Sequence, residues 1–342
     1  MGNLDRYSRQ VLFQPIGKDG QRKLLESRIA IVGVGALGTV IANHLVRSGV
    51  GHVTLIDRDL VELSNLQRQT LFSEEDSILN LPKVIAAQKR LNEVNSTVTI
   101  EPIIADLNLD NAEDLLVGFD CIVDGTDNFM TRFLINDVAF KYGIPWVYGG
   151  AVSSRGMFAV FKPGKTPCYR CLFPKVPSGM GETCDTVGVL SPITDIIGSF
   201  QAIEVLKIIV GAETNPNLEQ LDIWDNSYLQ MDITDGKNPN CPTCVNHQFD
   251  YLDRSSNLQV SYSSLCGRDT VQINPRNKQH IDLMDLEKHL KKNGKVFANE
   301  FLLRFCPDQQ TALVVFKDGR VLIHGTNDIA KAKSVYAKYI GS

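Results

Sequence analysis

The sequence has no excess of basic residues, no long hydrophobic run and no low-complexity tract. Its 342 residues carry 35 Lys and Arg against 39 Asp and Glu, a formal net charge of -4. A nucleic-acid-binding protein would carry a basic face or stripe, so this balance argues against that class. The longest apolar stretches fall far short of the roughly 20 residues that span a bilayer, and the polar start MGNLDRYSRQ offers no secretory apolar segment. We therefore expect a cytoplasmic protein with neither a membrane nor a nucleic-acid partner.

Short apolar runs alternate with segments of helical period between about residues 27 and 150. The predicted strands are 28–33, 52–57, 98–103, 121–125 and 146–150, and the predicted helices are 36–48, 82–94 and 129–142. Such alternation predicts an α/β fold with a doubly wound, Rossmann-like, mostly parallel sheet. Beyond it, MFAVFKP (157–163) predicts an antiparallel extension and 192–211 a buried helix.

A polar stretch, VNHQFDYLDRSSN (245–257), predicts a linker between two domains. We expect a nucleotide-binding domain over residues 1–250 and a small α+β unit over 258–342. In the second unit we predict strands near 270, 301, 313 and 322 and helices at 282–292 and 328–340. FKDGRVLIHG (316–325) predicts a hairpin with Asp-Gly at its turn.

The stretch GVGALG (33–38) lies between the first predicted strand and the first predicted helix. In such a loop Gly33 permits the tight turn, Gly35 lets phosphate approach the backbone, and Gly38 lets the helix pack on the sheet. The helix N-terminus offers unpaired N–H groups and a partial positive charge. Asp57 ends the second strand, where it suits a ribose hydroxyl pair. The loop alone predicts adenosine binding and does not distinguish a dinucleotide from ATP.

Polar residues near the ends of neighbouring strands favour a nucleoside triphosphate over a redox dinucleotide. DRDLVELSNLQRQ (57–69) places Asn65, Arg68 and Gln69 just past the second strand, LPKV adds Lys83, and DGTDN (124–128) adds Asp127 and Asn128. Ligands bind at the carboxyl ends of strands in open α/β sheets. Basic side chains suit phosphates and an aspartate suits Mg²⁺, so the set predicts phosphoryl-transfer chemistry.

These motifs together resemble the MoeB/ThiF adenylyltransferases, bacterial relatives of the ubiquitin-activating enzymes. The resemblance rests on RYSRQ, GVGALG, D-x-D, SNLQRQ, LPK, DGTDN and two CxxC pairs, in that order over about residues 4–248. Ala36 stands where many relatives have another glycine, which a helix N-terminus should tolerate. The resemblance implies that ATP·Mg²⁺ adenylates the C-terminal Gly-Gly carboxylate of a ubiquitin-like sulfur-carrier protein. A sulfur donor, such as a cysteine desulfurase or a rhodanese, would then give a thiocarboxylate for molybdopterin or thiamin synthesis.

The resemblance also implies roles for individual residues. Asp57 and Asp59 would hold the ribose region, Asn65 and Arg68 the phosphates, and Lys83 the phosphates or ribose. Asp127 would take the magnesium, and Arg9 would act as a finger from the partner subunit of a homodimer. The full nucleotide set is Gly33, Gly35, Ala36, Gly38, Asp57, Asp59, Ser64, Asn65, Arg68, Gln69, Lys83, Asp127 and Asn128.

The chain has eight cysteines, four of them in the pairs CYRC (168–171) and CPTC (241–244). Two such pairs suit a closed, tetrahedral structural zinc site, so Cys168, Cys171, Cys241 and Cys244 are the predicted ligands. A redox role for one pair is the alternative.

Cys184 matches the cysteine of the family that can form a thioester or acyl-disulfide with the activated carrier. The alternative is a small buried hydrophobic residue, and adenylation itself does not need the thiol. Cys266 could relay sulfur or simply pack, and we expect Cys121 in the core. The C-terminal unit lacks a rhodanese-type loop, so we expect it to contact the carrier or to assist assembly.

Two other functions stay open at this point. An NAD-dependent oxidoreductase would use the same glycine loop, although SNLQRQ and the lack of an obvious proton relay argue against it. A non-catalytic carrier-binding scaffold would not need Arg68, Lys83 and Asp127.

Overall fold

A computed structural model describes residues 4–175, 184–253, 262–264, 269–273, 281–308 and 310–341, with backbone alone for 184, 185 and 262–264. The chain divides into two compact units, Met1–Ser256 and Asn257–Ser342. Among the described residues, no helix has both the length and the apolar character needed to cross a bilayer.

The first unit is built on an eight-stranded sheet in the order β3-β2-β1-β4-β5-β6-β7-β8. Its strands are β1 (Arg28–Val32), β2 (His52–Asp57), β3 (Thr99–Ile104), β4 (Cys121–Asp124), β5 (Trp146–Val152), β6 (Arg155–Phe161), β7 (Asn217–Asp222) and β8 (Ser227–Asp232). The first five are parallel and the last three pair antiparallel. The predicted doubly wound sheet with an antiparallel extension is confirmed.

Helices cover both faces of this sheet. They are α1 (Ser8–Val11), α2 (Gly17–Glu26), α3 (Ala36–Ser48), α4 (Glu74–Ile78), α5 (Lys83–Val94), α6 (Ala112–Leu116), α7 (Phe129–Tyr142), α8 (Tyr169–Leu172), α9 (Cys184–Val187) and α10 (Ser191–Val210). Apolar residues of α3, α5 and α10 form one core, and those of α6 and α7 form the other. Burial on both faces explains why the parallel strands are near-continuous apolar runs.

The N-terminal segment packs onto the first unit through Tyr7 and Gln10. Tyr7 is 5% exposed, and its hydroxyl accepts a hydrogen bond of 2.9 Å from Asn95. Gln10 donates to the carbonyl of Ser48. Burial of the Tyr7 ring and these two long-range hydrogen bonds offset the conformational entropy that the N-terminal segment loses when it is ordered.

The predicted linker is wrong over its first half. Tyr251 lies in a 3₁₀ turn, Asp250–Leu252, and stacks on Phe133 with 4.8 Å between ring centroids. Its backbone N–H donates to Asp137. The aromatic contact with α7 places this stretch in the first unit, despite its polar composition.

The second unit contains a six-stranded antiparallel sheet in the order β11-β12-β13-β14-β10-β9. Its elements are β9 (Tyr262–Ser264), β10 (Thr270–Ile273), α11 (Leu283–Leu290), β11 (Lys295–Ala298), β12 (Leu302–Cys306), β13 (Ala312–Phe316), β14 (Val321–His324) and α12 (Ile329–Tyr339). The two helices share a core with one face of the sheet. Gly319, at φ +89°, turns the β13–β14 hairpin, as the Asp-Gly pair predicted.

Candidate active site

The glycine loop joins β1 to α3. Gly33 has φ +86° and a Cβ there would lie 2.6 Å from the carbonyl oxygen of Gly125, while a Cβ on Gly38 would collide with the carbonyl of Gly33. Gly35 is the N-cap of α3. A Cβ added to Gly35 would have Gln69 Nε2 as its nearest neighbour, at 3.8 Å. Two glycines are therefore needed for packing, and Gly35 leaves open room at the helix N-terminus where an anion can approach the backbone.

Asp57 lies against this loop at the end of β2. Its Oδ2 accepts a hydrogen bond of 2.7 Å from the N–H of Val34, and its Oδ1 accepts one of 2.7 Å from the N–H of Asp59. Burial raises the pKa of Asp57, and the nearby Lys83 opposes that rise. A carboxylate can accept about four hydrogen bonds, so an oriented Asp57 keeps capacity for ribose hydroxyls.

Lys83 and Asp59 form a buried ion pair. The Lys83 Nζ lies 3.1 Å from Asp59 Oδ2, with the lysine side chain 4% exposed. The Lys83 N–H also donates to the Asp59 carbonyl. The Asp59 carboxylate thus orients the lysine at the start of α5, and its predicted contact with the ribose region stays a prediction.

Arg58 is a charged residue of this edge that the sequence reasoning missed. Its Nη1 donates to Asp106 at 2.8 Å, and its Nε lies 3.7 Å from Asp59. Burial works against its charge, but Asp106, Asp59 and Asp127 raise the pKa of Arg58. The signal was available, since Arg58 stands between two predicted site aspartates.

Two polar side chains of the SNLQRQ segment, Asn65 and Gln69, are buried. Asn65 is 2% exposed, and its Oδ1 accepts from the N–H of Glu62, while Arg68 donates to the Ser64 carbonyl at 3.0 Å. Gln69 is 3% exposed and, within the described residues, its Oε1 has no hydrogen-bond partner. The Nε2 of the same side chain is the atom that lies beside Gly35, and an unpartnered buried oxygen on this amide fits a site that a polar ligand completes.

Asp127 and Asn128 follow β4 and precede α7. The Asn128 side chain caps α7 by accepting from the N–H of Thr131 at 2.9 Å. Asp127 is exposed and close enough to Arg58 to affect its charge. The cap places Asp127 at the rim, where its carboxylate can meet a cation. We call the loops after β1, β2 and β4, with Lys83, the nucleotide edge.

Arg9 lies at the other end of the first unit. It is exposed on α1, and the neighbouring Gln10 is bonded to Ser48. Ser48 ends α3 and Gly35 caps its start, and the 13 residues of this helix span about 20 Å. That separation is longer than an arginine side chain, so Arg9 cannot reach the glycine loop of its own chain.

The four predicted zinc ligands converge, and we call them the cysteine cluster. Their sulfur atoms all lie within 4.8 Å of one another, with Cys168 Sγ 3.5 Å from Cys241 Sγ and Cys171 Sγ 3.4 Å from Cys244 Sγ. Four thiolates at about 2.3 Å from a tetrahedral zinc would be about 3.8 Å apart. The Cys168 thiol lowers the pKa of Cys171 to about 4, which favours a thiolate. The donor set and the spacing fit zinc.

Of the four other cysteines, one is in the core, Cys306 is half-buried, and two have side chains outside the described residues. Cys121 is fully buried in β4, as expected for a core residue. Cys184 begins α9, but its side chain lies outside the described residues, as does the whole of Cys266. Their predicted roles stay predictions.

Comparison with known proteins identifies the family. A sequence model of the ThiF family matches residues 7–243. The "Sulfur carrier protein ThiS adenylyltransferase" of Bacillus subtilis is 45% identical over 337 residues, covering 98% of this chain and 99% of that protein. The "Sulfur carrier protein adenylyltransferase" of Thermus thermophilus is 36% identical, covering 77% of this chain and 97% of that protein.

The solved structure of Escherichia coli MccB with ATP has a TM-score of 0.62 at 24% identity, covering 71% of this chain and 75% of that one. At this identity the likeness is one of fold. The family match over more than half of the chain, together with the Bacillus relative that spans nearly all of it, shows that the chain belongs to the ThiF family.

Proposed function

We propose that this protein is an adenylyltransferase that uses ATP to activate the C-terminal carboxylate of a ubiquitin-like sulfur-carrier protein. The observation that carries the proposal is the nucleotide edge: an open glycine loop, an oriented Asp57, a buried Lys83 and an unpartnered Gln69 oxygen meet at one edge of the sheet. The relatives are named as adenylyltransferases of sulfur carriers. These names remove the support for the oxidoreductase alternative, which shares only the glycine loop.

The nucleotide edge would work by holding the phosphates and neutralising charge. A carboxylate oxygen of the carrier attacks the α-phosphorus of ATP, and the bond from that phosphorus to the bridging oxygen breaks. Pyrophosphate leaves with the electron pair, and an acyl-adenylate forms. The backbone of the glycine loop would face the phosphates, while Lys83 and Arg68 offset the negative charge that the two reactants bring together.

Asp57 would fix the ribose, and Gln69 would accept a hydrogen bond from a nucleotide hydroxyl. Asp127 would hold Mg²⁺, which when bound supplies charge neutralisation at the phosphates. The cysteine cluster would hold a structural Zn²⁺, since four protein ligands leave no open position for catalysis.

Several finer assignments belong to the same proposal. We take residues 1–250 as the adenylyltransferase domain and 258–342 as a carrier-contacting or assembly unit. The carrier would be of the ThiS type, because the relative that spans the whole chain carries that name. The active form would be a homodimer with Arg9 supplied in trans, and sulfur would come from a cysteine desulfurase or a rhodanese. A cytoplasmic location stays a prediction.

Carrier-dependent exchange of labelled pyrophosphate into ATP tests the function. We expect exchange with a ThiS-type carrier, and none with the same carrier lacking its C-terminal Gly-Gly. Asp127→Ala should abolish exchange while the far-UV circular dichroism and melting temperature stay unchanged. A wild-type protein that binds carrier but exchanges nothing with ThiS-type or molybdopterin-type carriers would be a scaffold, and the proposal would fail.

A second variant separates adenylation from sulfur transfer. Cys184→Ala should keep carrier-dependent exchange, because the thiol takes no part in attack on the α-phosphate. It should lose any covalent carrier adduct that thiol reagents release from the wild type. A folded Cys184→Ala protein without exchange would show that this cysteine belongs to the adenylation step.

A further inference from the structure

Arg132 is a buried arginine directly behind the loop that carries Asp127. It lies in the first turn of α7 and is 6% exposed. Its Nε donates to Asp124 Oδ2 at 2.9 Å. Its Nη2 donates to the carbonyls of Thr126 at 2.8 Å and Gly149 at 3.0 Å. One guanidinium therefore connects the end of β4, the loop after β4, and β5.

The carboxylate that Arg132 contacts organises the same loop from its other side. Asp124 is fully buried, and its Oδ1 accepts from the N–H and the hydroxyl of Thr126 at 2.9 and 2.6 Å. The carbonyl of Asp124 accepts from Gln201 Nε2 at 2.7 Å. Together with the Asn128 cap of α7, these bonds hold both sides of Asp127.

The guanidinium is itself held in one orientation. It lies 5.1 Å from the ring centroid of Tyr148 and 5.5 Å from that of Phe129. Arginine donates in a rigid planar fork that lysine cannot reproduce. Separating Arg132 from Asp124 would leave two uncompensated buried charges, which is costly. The two side chains therefore stay paired.

We propose that Arg132 is a positioning residue, which sets the geometry of Asp127 toward the metal-bound phosphates by bracing the loop between Asp124 and Asn128. This inference rests on the proposed adenylation. The described hydrogen bonds of the guanidinium all go to protein atoms, namely Asp124, Thr126 and Gly149. Arg132 acts through the backbone of Thr126, next to Asp127, so its effect should appear in the metal dependence of the reaction.

The central test is Arg132→Lys, measured by calorimetry and by exchange. We expect the affinity for ATP without metal to be unchanged, and the affinity for ATP·Mg²⁺ to fall about tenfold. The kcat of exchange should fall by about 10- to 100-fold, since a small misplacement of a catalytic group costs rates of that order. The half-saturating Mg²⁺ concentration should rise.

Arg170→Lys is the matched control. Arg170 is also paired with a carboxylate, Asp250, at 2.7 Å and lies 5.6 Å from the ring of Tyr251, but it belongs to the cysteine cluster region. We expect Arg170→Lys to lower the melting temperature. The half-saturating Mg²⁺ concentration should stay within about twofold of the wild-type value, because distant sites do not couple. If Arg132→Lys behaves like Arg170→Lys, the arginine is only structural and the inference is wrong.

A milder variant keeps the inference testable if Arg132→Lys fails to fold. Thr126→Val keeps the arginine and removes the hydroxyl bond to Asp124, and it should shift the Mg²⁺ dependence in the same direction by a smaller factor. Unchanged Mg²⁺ dependence in a folded Thr126→Val protein would also overturn the inference. A wild-type protein without exchange would instead refute the adenylation itself.

Discussion

The nucleotide edge and the cysteine cluster lie in the same unit and differ in how their charges are arranged. At the nucleotide edge, Lys83, Arg58 and their aspartates are paired with one another, yet Asp127 is exposed and Gln69 keeps an unpartnered oxygen. In the cysteine cluster all four sulfurs point at one another within 4.8 Å. The first arrangement leaves capacity for a ligand, and the second is complete once a single ion is added.

This contrast separates the substitutions that should affect activity from those that should affect stability. Residues of the nucleotide edge come from strand ends whose position is already set by the sheet, so single changes there should leave the fold intact. The cysteine cluster joins segments 73 residues apart. Losing one ligand should therefore loosen the fold.

Lys83→Met should have the largest effect. It removes a buried cation that we propose offsets the charge of the phosphates, and we expect carrier-dependent pyrophosphate exchange to fall by at least about 100-fold. Lys89→Met on the same helix is the control, because Lys89 is exposed, and it should exchange at the wild-type rate. Equal rates for the two variants would remove Lys83 from the reaction.

Arg9→Ala should be about as inactive as Lys83→Met. Mixing the two inactive variants and letting their subunits exchange should restore part of the activity. In a mixed dimer one pocket keeps Lys83 and receives Arg9 from the other chain. Random exchange of subunits makes about half of the dimers mixed, each with one working site, so roughly a quarter of wild-type activity should return. If nothing returns after verified subunit exchange, the nucleotide edge is not completed by a partner, and Arg9 is structural.

Cys241→Ala should act on stability before activity. Cys241 is 1% exposed, and its loss should release zinc and lower the melting temperature by about 10 °C, as expected for several kcal/mol of lost metal binding. Cys121→Ala removes an equally buried thiol outside the cluster and should retain about one zinc per chain by elemental analysis. A metal-free wild-type protein with the same melting temperature would refute the zinc assignment.

His44 should give the smallest effect, because it lies in neither region. Its Nε2 is 3.2 Å from Ser199 Oγ. The imidazole is exposed at the surface, and its partial desolvation, with a contribution from Arg47, lowers the pKa of His44 below 6.5 despite the opposing Asp195. Around pH 6.5 the His44 side chain therefore binds more protons in the unfolded chain than in the folded one. Its contribution makes the folded protein less stable as the pH falls below about 6.5. Because solvent screens this exposed site, we expect the unfolding free energy to change by only a few tenths of a kcal/mol, about the contribution of an exposed ion pair.

Urea unfolding of wild type and His44→Gln at about pH 7.5 and pH 5.5 measures this difference. Acid would release any zinc bound by the cysteine cluster from both proteins alike, so the comparison isolates the imidazole. A difference in unfolding free energy that is the same at both pH values would contradict the assignment.

The elements predicted correctly are those whose burial leaves a strong pattern. The bounds of α3 and α7 agree with the structure at both ends, since each is followed by a glycine in the left-handed region, Gly49 and Gly143. The strand β8 was missed because all of its residues are exposed. Without a buried face, its sequence carries no period-2 signal.

The motifs alone were enough to predict the candidate site residues and their order along the chain: the glycine spacing, Asp57, SNLQRQ, Lys83, DGTDN and the two CxxC pairs. The pairing of the charged side chains became visible in the folded chain. Lys83 pairs with Asp59 and Arg58 with Asp106, and Arg132 braces the loop before Asp127. The reason is physical: an ion pair depends on the distance between two charges in space, and the packing of helices on the sheet brings together side chains that no local spacing connects.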